Sequence, residues 1–533
     1  MKFTAISLGF WLTNFLSGVR LTEGARILAM VAVPSYSHEI AFHPIWATLS
    51  RRGHQVVLFT TNPIDDPSLT NLTQIDFRHI YTQVNIFKKV DFAKLRFTHN
   101  WPSLVQDILE HNMQITVEEI FKHPKVRKLY APNSGEKFDV VLAEIIGSHG
   151  LYALAHRFNA PLIGISSLPL QSGSYYHLGA PILSSHPSTW EMEYTTGFNL
   201  SLWGRIKNFF RLWRYIHYVL NHYMQRQQAI AEKYLGKGIP NVNEMEKNMS
   251  IMLVNQQEIT MFVRPLPPNL IQFGGLHIMK NPAPLPNDLQ QFLDDAPNGF
   301  IYVSLGTNVK MTSFPSYVLR AFYEVFASLP YKIVWKFNGQ LPDKFDNIFT
   351  ATWLPQQSIL AHPNIKLFVY QGGLQSTQEA IHYAVPLLGI PMLSDQYSNV
   401  NRMVSLGVAK SLDITNFSVK KLNTSIMDIL TDKRYKQRML NVKVLSNDKP
   451  YDMLNHVIWW IEYVIRHRDV SHLHTSIKHD PWYERYDMDV IAVLSIATFV
   501  ISVCSLVLMY KLLKITMKCF YTRKVINIKE KTT

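Results

Sequence analysis

Apolar runs and helix-like segments alternate along the first half of the chain. The runs RILAMVAV (26–33), HQVVLFTT (54–61), FDVVLAE (138–144) and LIGISS (162–167) have the length and the β-branched content of buried strands. Helix-like segments lie between them, and this alternation predicts a parallel sheet that is covered by helices. Such sheets bind ligands beyond the carboxyl ends of their strands. Residues that directly follow a strand are therefore candidates for a functional site.

The second half of the chain repeats this pattern after a proline-rich stretch. Its strand-type runs are FIYVSLGTN (300–308), KIVWKF (332–337), KLFVYQ (366–371) and AKSLDI (409–414). Six prolines lie between residues 264 and 287, and repeated proline removes backbone donors and favours an extended chain. The pattern predicts an N-terminal domain over residues 25–264, a linker over 265–287 and a C-terminal domain over 288–450.

One strand of the second half runs into two glycines and then a helix. KLFVYQ is followed by Gly372 and Gly373, and QSTQEAIHYA has helical composition. The free N–H groups and positive dipole of a helix N-terminus favour a phosphate, which glycines allow to approach the main chain. Trp353 offers a flat face for a base, and Glu379 and Asp395–Gln396 offer groups that bind sugar hydroxyls. Because a strand–glycine–helix unit is common in α/β proteins, the junction alone is a weak indication of nucleotide binding.

The spacing of the whole block 353–396 is more specific. It resembles the signature of the membrane UDP-glycosyltransferases, which runs W-x-P-Q, H-P, H-G-G, S, E, P and D-Q. The residues in register are Trp353, Pro355, Gln356, His362, Pro363, Gly372, Gly373, Ser376, Glu379, Pro386, Asp395 and Gln396. One position departs, because Gln371 stands where the family usually has histidine, and the form QGGLQST is similar to the insect branch. A neutral amide can donate a hydrogen bond to the α-phosphate, but it brings no positive charge.

The resemblance implies a GT-B fold, in which two Rossmann-like domains face each other across a cleft and the C-terminal one holds a UDP-sugar as co-substrate. Trp353 would then stack the uracil, Glu379 would hold the ribose, and Asp395 and Gln396 would hold the sugar hydroxyls. Backbone N–H groups and side chains would stabilise the leaving diphosphate, and neither a metal nor a permanently bound cofactor is expected. The implied donor contacts are Thr307, Trp353, Leu354, Gln356, Gln371, Gly372, Gly373, Gln375, Ser376, Glu379, Asp395 and Gln396.

Two residues near strand ends of the N-terminal half are candidates for catalysis. His38 follows the first strand, and Glu144 ends another strand of the same predicted sheet. A histidine with a carboxylate partner can take a proton from a hydroxyl at neutral pH, although a lone histidine after a strand is more often a capping or surface residue. In the family the catalytic histidine lies in this first loop, in a context like SHEIAF, and its partner is usually aspartate. The resemblance therefore implies an inverting displacement with His38 as base and Glu144 as its orienting acid, and His43 is the competing base.

Length and charge narrow the classes of function. A chain of 533 residues is too long for one core, and a net charge of +14 suits nucleic acid, an acidic membrane surface or anionic ligands. The sequence has no RNP, zinc-finger or helix-turn-helix signature, so nucleic acid is not expected as a partner. Two alternatives from other classes stay open. One is a non-catalytic membrane protein that binds a UDP-sugar or a hydrophobe, and the other is a single-span receptor.

Both ends of the chain carry targeting signals. Residues 1–24 have the basic start and apolar run of a secretory signal peptide. Residues 490–510 are uncharged and long enough to cross a bilayer, and the basic tail 511–533 predicts a cytosolic end and a luminal body. The terminal KEKTT matches the K-x-K-x-x retrieval signal, with an ordinary basic tail as the alternative. We therefore predict a single-pass type I protein of the endoplasmic reticulum membrane.

Cysteine and asparagine positions bear on this topology. The two cysteines, Cys504 and Cys519, lie in the predicted span and tail, so no luminal disulfide is expected. Sequons that would face the glycosylation machinery occur at Asn71, Asn199, Asn248, Asn416 and Asn423.

Three stretches outside these motifs have two interpretations each. Residues 168–236 are rich in aromatic and basic side chains, which suits either a surface helix or an acceptor pocket that rests partly on the membrane. Residues 451–489 contain a helix that in the family packs back on the N-terminal domain. Asp487 and Asp489 resemble a D-x-D metal clamp, and we interpret them as a polar flank of the span. His472, His474 and His479 lack the spacing of a zinc motif and are interpreted as a solvated linker.

The identity of the substrates follows from the resemblance alone. The insect-like motif favours UDP-glucose, with UDP-glucuronate as the main competitor and UDP-galactose as a third donor. The expected acceptors are small lipophilic molecules that carry a hydroxyl, and homo-oligomerisation stays open.

Overall fold

The computed structural model describes residues 24–83, 96–97, 101–184, 200–307, 309–343 and 345–530. The chain forms two compact units, of which the first ends at His474 and the second begins at Thr475. Residues 1–23 of the predicted signal peptide, the sequon at Asn199 and the last three residues of the predicted retrieval signal lie outside the described residues.

The first unit begins with a sheet of seven parallel strands in the order β3-β2-β1-β4-β5-β6-β7. The strands are β1 Arg26–Met30, β2 Gln55–Thr60, β3 Leu72–Asp76, β4 Val140–Glu144, β5 Leu162–Ser166, β6 Ile251–Asn255 and β7 Leu270–Phe273. The four runs predicted as strands contain β1, β2, β4 and β5. Strands β4, β5 and β6 are buried along their whole length, as is typical of a parallel sheet with both faces covered.

A second sheet has six parallel strands in the order β10-β9-β8-β11-β12-β13. The strands are β8 Phe300–Ser304, β9 Lys332–Lys336, β10 Ile348–Ala351, β11 Ile365–Tyr370, β12 Leu387–Gly389 and β13 Ala409–Ser411. Because β8 and β11 are neighbours, with Tyr370 opposite Ser304, the turns that follow them lie side by side. The predicted architecture of two Rossmann-like sheets is confirmed.

Helices pack against both sheets through apolar side chains. In the first unit they are α1 Tyr36–Ile40, α2 His43–Arg51, α3 Ile80–Gln83, α4 Trp101–Lys122, α5 Pro124–Tyr130, α6 Ala153–Phe158, α7 Ser172–His177, α8 Leu202–Tyr218, α9 Met224–Leu235, α10 Val242–Lys247, α11 Asn287–Asp294, α12 Ser316–Ser328, α13 Gln356–Ala361, α14 Leu374–His382, α15 Gln396–Ser405, α16 Val419–Thr431, α17 Arg434–Asn447 and α18 Met453–His467. A π-helical segment, Val219–Tyr223, joins α8 to α9. Short 3₁₀ turns occur at His149–Tyr152, Met311–Ser313, Ile414–Asn416 and Ser471–Leu473.

Helix α18 returns to the N-terminal sheet, as the resemblance implies. Its apolar face, with Val457 and Ile461, belongs to the same buried cluster as Ile27 and Leu58 of the first two strands. At the surface, Arg52 at the end of α2 forms an ion pair with Glu462 of α18, with Nη1 and Oε1 3.0 Å apart. The chain thus crosses from the C-terminal sheet back to the N-terminal one, because this apolar face at helical spacing needs a partner.

Part of the predicted linker belongs to the N-terminal sheet. Strand β7 lies within residues 265–287 and pairs with β6, with Asn255 opposite Phe273. Phe273 is fully buried in the N-terminal core. This strand is only four residues long and lies in a proline-rich stretch, so the local sequence pattern favours a linker there. The N-terminal sheet therefore extends beyond the predicted domain boundary at residue 264.

The second unit consists of a 3₁₀ turn at Ser476–His479, α19 Trp482–Arg485 and α20 Met488–Glu530. Residues Met488–Lys524 of α20 form a helix that is long and apolar enough to cross a membrane, with a mean hydropathy of 2.7 in its most apolar stretch. The helix exceeds the predicted span because KLLKITMKCF after Tyr510 continues with good helix formers. Asp489 lies in its first turn, where a carboxylate suits the helix dipole.

Candidate active site

Three side chains meet beyond neighbouring strands of the N-terminal sheet. His38 lies on α1, just after β1, Glu144 ends β4, and Ser167 follows β5. Since β1, β4 and β5 are adjacent in the sheet, their carboxyl ends are side by side. The Nδ1 atom of His38 lies 2.7 Å from the hydroxyl oxygen of Ser167. That hydroxyl donates to Oε1 of Glu144 at 3.1 Å, and the backbone N–H of Ser167 donates to the same oxygen at 3.3 Å.

The predicted pairing of His38 with Glu144 is therefore indirect. Glu144 contacts His38 through Ser167, which stands between the ring and the carboxyl group. His43, the competing candidate, lies on α2, and its Nε2 atom has no hydrogen-bond partner within the described part of the chain. Of these two candidates, His38 is thus the one for which the structure shows a hydrogen-bonded path to a carboxyl group.

Burial shifts the pKa of both groups away from their ordinary values. Burial lowers the pKa of His38 to about 4, so the imidazole is neutral at pH 7 and able to accept a proton. Burial raises the pKa of Glu144 to about 8, although the two hydrogen bonds from Ser167 act in the opposite direction. The imidazole of His38 can thus accept a proton at neutral pH, and the Glu144 carboxyl ionises only as the pH approaches 8.

A second buried carboxyl group, Glu39, fixes the position of α1. Its oxygens accept the hydroxyls of Thr60 and Thr61, the backbone N–H of Thr61 at 2.8 Å and that of Asn62 at 3.2 Å. Burial raises the pKa of Glu39 to about 7, while these hydrogen bonds lower it. Glu39 thus ties the helix that carries His38 to the end of β2. The sequence analysis missed this residue.

The two glycines between β11 and α14 have separate roles. Gly372 has φ +95°, and a Cβ atom there would lie 2.6 Å from the Val400 side chain and 2.7 Å from the carbonyl oxygen of Gln396. Gly373 caps α14 with ordinary extended backbone. The first hydrogen bond inside α14 runs from Thr377 N–H to Gly373 C=O, so the preceding N–H groups are not used within the helix. Leu374 N–H donates to Asp395, and the N–H groups of Gln375 and Ser376 have no partner inside α14, so they stay the predicted donors to a phosphate.

A second glycine turn lies against this junction. Gly306, after β8, has φ +73°, and a Cβ atom there would lie 2.2 Å from Nε2 of Gln371. The amide of Gln371 therefore occupies the space that this glycine leaves open. Its Oε1 atom is buried and has no hydrogen-bond partner in the described ranges. Thr307 is exposed in the same turn.

Trp353 follows β10 and is 61% exposed, which leaves a ring face available to a ligand. The ammonium group of Lys336 lies 4.2 Å from the centroid of this ring and donates to the carbonyl oxygen of Gly306 at 3.1 Å. Tyr36 of α1 contacts the indole edge-on, with ring centroids 6.2 Å apart. Leu354, also predicted as a donor contact, is buried in the apolar core. Helix α1, which carries His38, thus reaches the predicted uracil site.

Glu379 is held by a set of amides. Gln356 donates from Nε2 to Glu379 at 2.6 Å and to the Ser376 hydroxyl at 2.9 Å, and Gln357 donates to the other carboxylate oxygen at 3.3 Å. His277, which the sequence analysis missed, has its Nε2 atom 3.4 Å from the same oxygen. These contacts fix the Glu379 side chain at the edge of the junction, where the resemblance implies a ribose.

Asp395 and Gln396 lie at the start of α15. Asp395 accepts from Asn399 at 2.6 Å and from the backbone N–H of Leu374, and burial raises its pKa to about 6. The Oε1 atom of Gln396 accepts the N–H groups of Met392 at 2.9 Å and Leu393 at 3.0 Å. Both side chains are buried and held by these hydrogen bonds, so the fold fixes their orientation.

Helix α14 also reaches the edge of the N-terminal sheet where Ser167 and His38 lie. The side-chain amide of Gln375 donates to the carbonyl oxygen of Ser167 at 3.3 Å. Gln378, one turn further on, donates to Asn255 at 2.8 Å, and Asn255 donates to the same Ser167 carbonyl at 3.1 Å. The structure therefore joins the glycine junction to the His38 site by buried hydrogen bonds.

Comparisons with known proteins agree with this architecture. The family model described as "UDP-glucoronosyl and UDP-glucosyl transferase" matches residues 26–531. A UDP-glucosyltransferase 2 of Dactylopius coccus is 32% identical and covers 89% of this chain and 90% of its own length. UDP-glucuronosyltransferase 2B1 of Rattus norvegicus is 27% identical and covers 88% of this chain and 90% of its own.

Solved structures support the fold. CalG4, the calicheamicin glycosyltransferase, has a TM-score of 0.57 at 15% identity and covers 84% of this chain and 99% of its own. A UDP-glucosyltransferase from Polygonum tinctorium has a TM-score of 0.54 at 14% identity, with 83% and 99% covered. The family match spans nearly the whole chain and the two sheets form the GT-B arrangement, so this protein belongs to the UDP-glucuronosyl and UDP-glucosyl transferase family and is a UDP-sugar glycosyltransferase.

Proposed function

We propose that this enzyme transfers glucose from UDP-glucose to a hydroxyl of a small lipophilic acceptor, with inversion at the anomeric carbon. One observation carries the proposal most directly: buried hydrogen bonds connect Ser167, the partner of His38, to α14 of the glycine junction. This connection supports a single site in which a base and a phosphate-binding turn act together.

In the proposed reaction, Nε2 of His38 takes the proton of the acceptor hydroxyl while the acceptor oxygen attacks the anomeric carbon. The attack comes from the face opposite UDP, and a carbon–oxygen bond forms. The bond between the anomeric carbon and the β-phosphate oxygen breaks, and UDP leaves with its electron pair. The product is a β-glycoside, and Glu144, once ionised, favours the charged imidazole through the Ser167 hydroxyl.

The leaving diphosphate needs positive charge and hydrogen-bond donors. The N–H groups of Gln375 and Ser376 and the amide of Gln371 would supply donors at the junction. The Lys336 ammonium, which forms no ion pair with a carboxylate in the described part of the chain, would supply the charge that Gln371 does not. Thr307 would add a hydroxyl from the neighbouring turn.

The remaining contacts follow the family pattern. Uracil would stack on the face of Trp353 that Lys336 leaves free, and the ribose would bind Glu379. Asp395 and the amide nitrogen of Gln396 would hold the hexose hydroxyls. Closure of the cleft around these groups would exclude water, which otherwise competes as an acceptor.

The choice of glucose rests on the relatives. The Dactylopius coccus protein is named a UDP-glucosyltransferase and is 32% identical, whereas the Rattus norvegicus UDP-glucuronosyltransferase is 27% identical. UDP-glucuronate is therefore the competing donor.

We also propose that α20 anchors the enzyme in the endoplasmic reticulum membrane with its catalytic unit in the lumen. The apolar stretch of α20 precedes the basic residues Lys514, Lys518 and Arg523, which favour a cytosolic tail. Protease treatment of sealed microsomes tests this orientation, since only the short tail should be removed.

The activity is tested in microsomes that contain the full-length chain, with labelled UDP-glucose, UDP-glucuronate or UDP-galactose and a simple phenol. We expect a glucoside from the wild-type enzyme and almost none from His38→Ala. Equal product from both proteins would remove His38 from the mechanism. Binding of UDP-sugars without product from any acceptor would instead favour a non-catalytic binding protein, which the neutral Gln371 and the unusual Glu144 motivate.

A further inference from the structure

We propose that Ser167 is a positioning residue that sets the tautomer of His38 and couples its ring to the donor-binding helix. The inference rests on the proposed function, because it takes His38 as the base. Ser167 lies outside the motif block 353–396 and is not among the residues that the family resemblance implies.

The hydrogen bonds of Ser167 determine which ring nitrogen of His38 carries the proton. Oε1 of Glu144 accepts both the backbone N–H and the hydroxyl of Ser167, at 3.3 and 3.1 Å. A serine hydroxyl has one proton, so its oxygen presents a lone pair to His38 at 2.7 Å. When the Glu144 carboxyl is ionised it can only accept, so Nδ1 carries the proton and donates it to the Ser167 oxygen. This tautomer leaves the lone pair on Nε2, which is what a base at Nε2 requires.

The position of Ser167 is fixed from the donor side. Its carbonyl oxygen accepts from Gln375 at 3.3 Å and from Asn255 at 3.1 Å, and Gln378 donates to Asn255 at 2.8 Å. Gln375 and Gln378 lie on α14, whose first turn faces the predicted diphosphate. These residues are between 0% and 9% exposed, so water does not compete for the hydrogen bonds.

The same residue therefore touches the base with its side chain and the donor-binding helix with its main chain. A displacement of α14 moves the Ser167 carbonyl, and with it the hydroxyl that orients His38. Binding of the donor diphosphate at the start of α14 holds this helix in place. The imidazole of His38 is thus correctly oriented when the donor is bound, so that proton removal from the acceptor coincides with sugar transfer.

The test compares two adjacent buried serines in full-length enzyme in microsomes. Ser167→Ala removes the contact with His38 and should lower kcat by roughly 100-fold, in the range that general base catalysis contributes, with the KM for UDP-glucose within about twofold. Ser166→Ala is the matched control, because its hydroxyl donates to Leu168 C=O at 2.6 Å and accepts from Leu168 N–H at 3.3 Å, and Ser166 is 1% exposed. We expect near wild-type rates from Ser166→Ala and partial recovery from Ser167→Thr.

A double variant shows whether Ser167 acts through His38. His38→Ala and His38→Ala/Ser167→Ala should have the same residual rate, because a positioning residue has no effect once its target is gone. Retained affinity for UDP in each variant reports a folded donor site. If Ser167→Ala behaves like Ser166→Ala, or if the double variant is far slower than His38→Ala, the role of Ser167 is refuted. A fully active His38→Ala would instead refute the proposed function.

Discussion

The two sheet edges of this enzyme are built in different ways. At the N-terminal edge, burial of a few titratable groups controls the chemistry: it lowers the pKa of His38 to about 4 and raises that of Glu144 to about 8. At the C-terminal edge, backbone conformation shapes the site, because Gly306 and Gly372 both have positive φ angles. We infer that the first region governs the rate of proton removal and the second governs donor binding. Variants of the two regions should therefore affect different kinetic constants.

The largest expected effect is at the base. His38→Ala removes the group that accepts the acceptor proton, and kcat should fall by roughly 10³-fold. The KM for UDP-glucose should change little, because His38 lies in the N-terminal part of the cleft. Steady-state kinetics with a phenol acceptor measures both constants. A variant that lost donor affinity and kept kcat would break the division between the two regions.

The next largest effect is at the glycine junction. Alanine at position 372 would take a strained φ of +95° and press its Cβ atom against Val400 and Gln396. We expect the KM for UDP-glucose to rise roughly 10- to 100-fold, since each 1.4 kcal/mol of lost binding is a factor of ten.

Gly373→Ala is the comparison for this variant. Its φ is −61°, and the nearest atom to an added Cβ is Nε2 of Gln371 at 3.7 Å. The rise in KM should be much smaller than for Gly372→Ala. Equal losses at both positions would mean that the helix N-terminus, rather than the turn conformation, is what the alanines disturb.

A smaller effect is expected from the lysine beneath Trp353. Lys336→Met removes a charge that we place near the diphosphate, and KM for the donor should rise by about tenfold, in line with a charge-assisted hydrogen bond at a half-buried site. Lys332→Met on the same strand is the control, because its ammonium contacts Asp346 C=O at 3.3 Å at the opposite end of β9. A donor affinity that is unchanged in Lys336→Met would leave the lysine as a support for the indole ring only.

The smallest effects are in the pH dependence. Ionised Glu144 stabilises the charged imidazole, so kcat should rise severalfold as the pH increases through about 8. Ionised Asp395 accepts sugar hydroxyls, so the KM for UDP-glucose should fall as the pH increases through about 6. Glu144→Gln should abolish only the first dependence and Asp395→Asn only the second. Measurement of both constants between pH 5 and pH 9 checks the signs, and a shared dependence would show that the two regions titrate together.

Local sequence patterns predicted much of this enzyme. Apolar runs predict the strand before His38 and the strand that ends at Glu144. The two glycines after KLFVYQ predict the turn at the junction. Strand β7 was missed because the prolines around it outweighed a four-residue run. The predicted span 490–510 lies within α20, and the helix continues beyond it because helix-forming residues follow the apolar part.

Contacts between distant segments were beyond such patterns. Ser167 stands 129 residues from His38 in the sequence, and Lys336 belongs to a strand that carries no motif. Both follow the general rule that functional residues lie at strand ends. Many residues satisfy that rule, and only the order of strands in the two sheets selects among them.

The sequence by itself determined the family, the two sheets, the glycine turns and an apolar C-terminal helix long enough to cross a membrane, because these depend on local backbone preference, periodicity and motif spacing. Only the tertiary structure decided that Glu144 reaches His38 through Ser167 and that α14 holds Ser167 in place. Those contacts depend on which strands become neighbours and on which groups lose access to water. Burial then set the pKa values of His38 and Glu144, and no property of either residue alone contains that information.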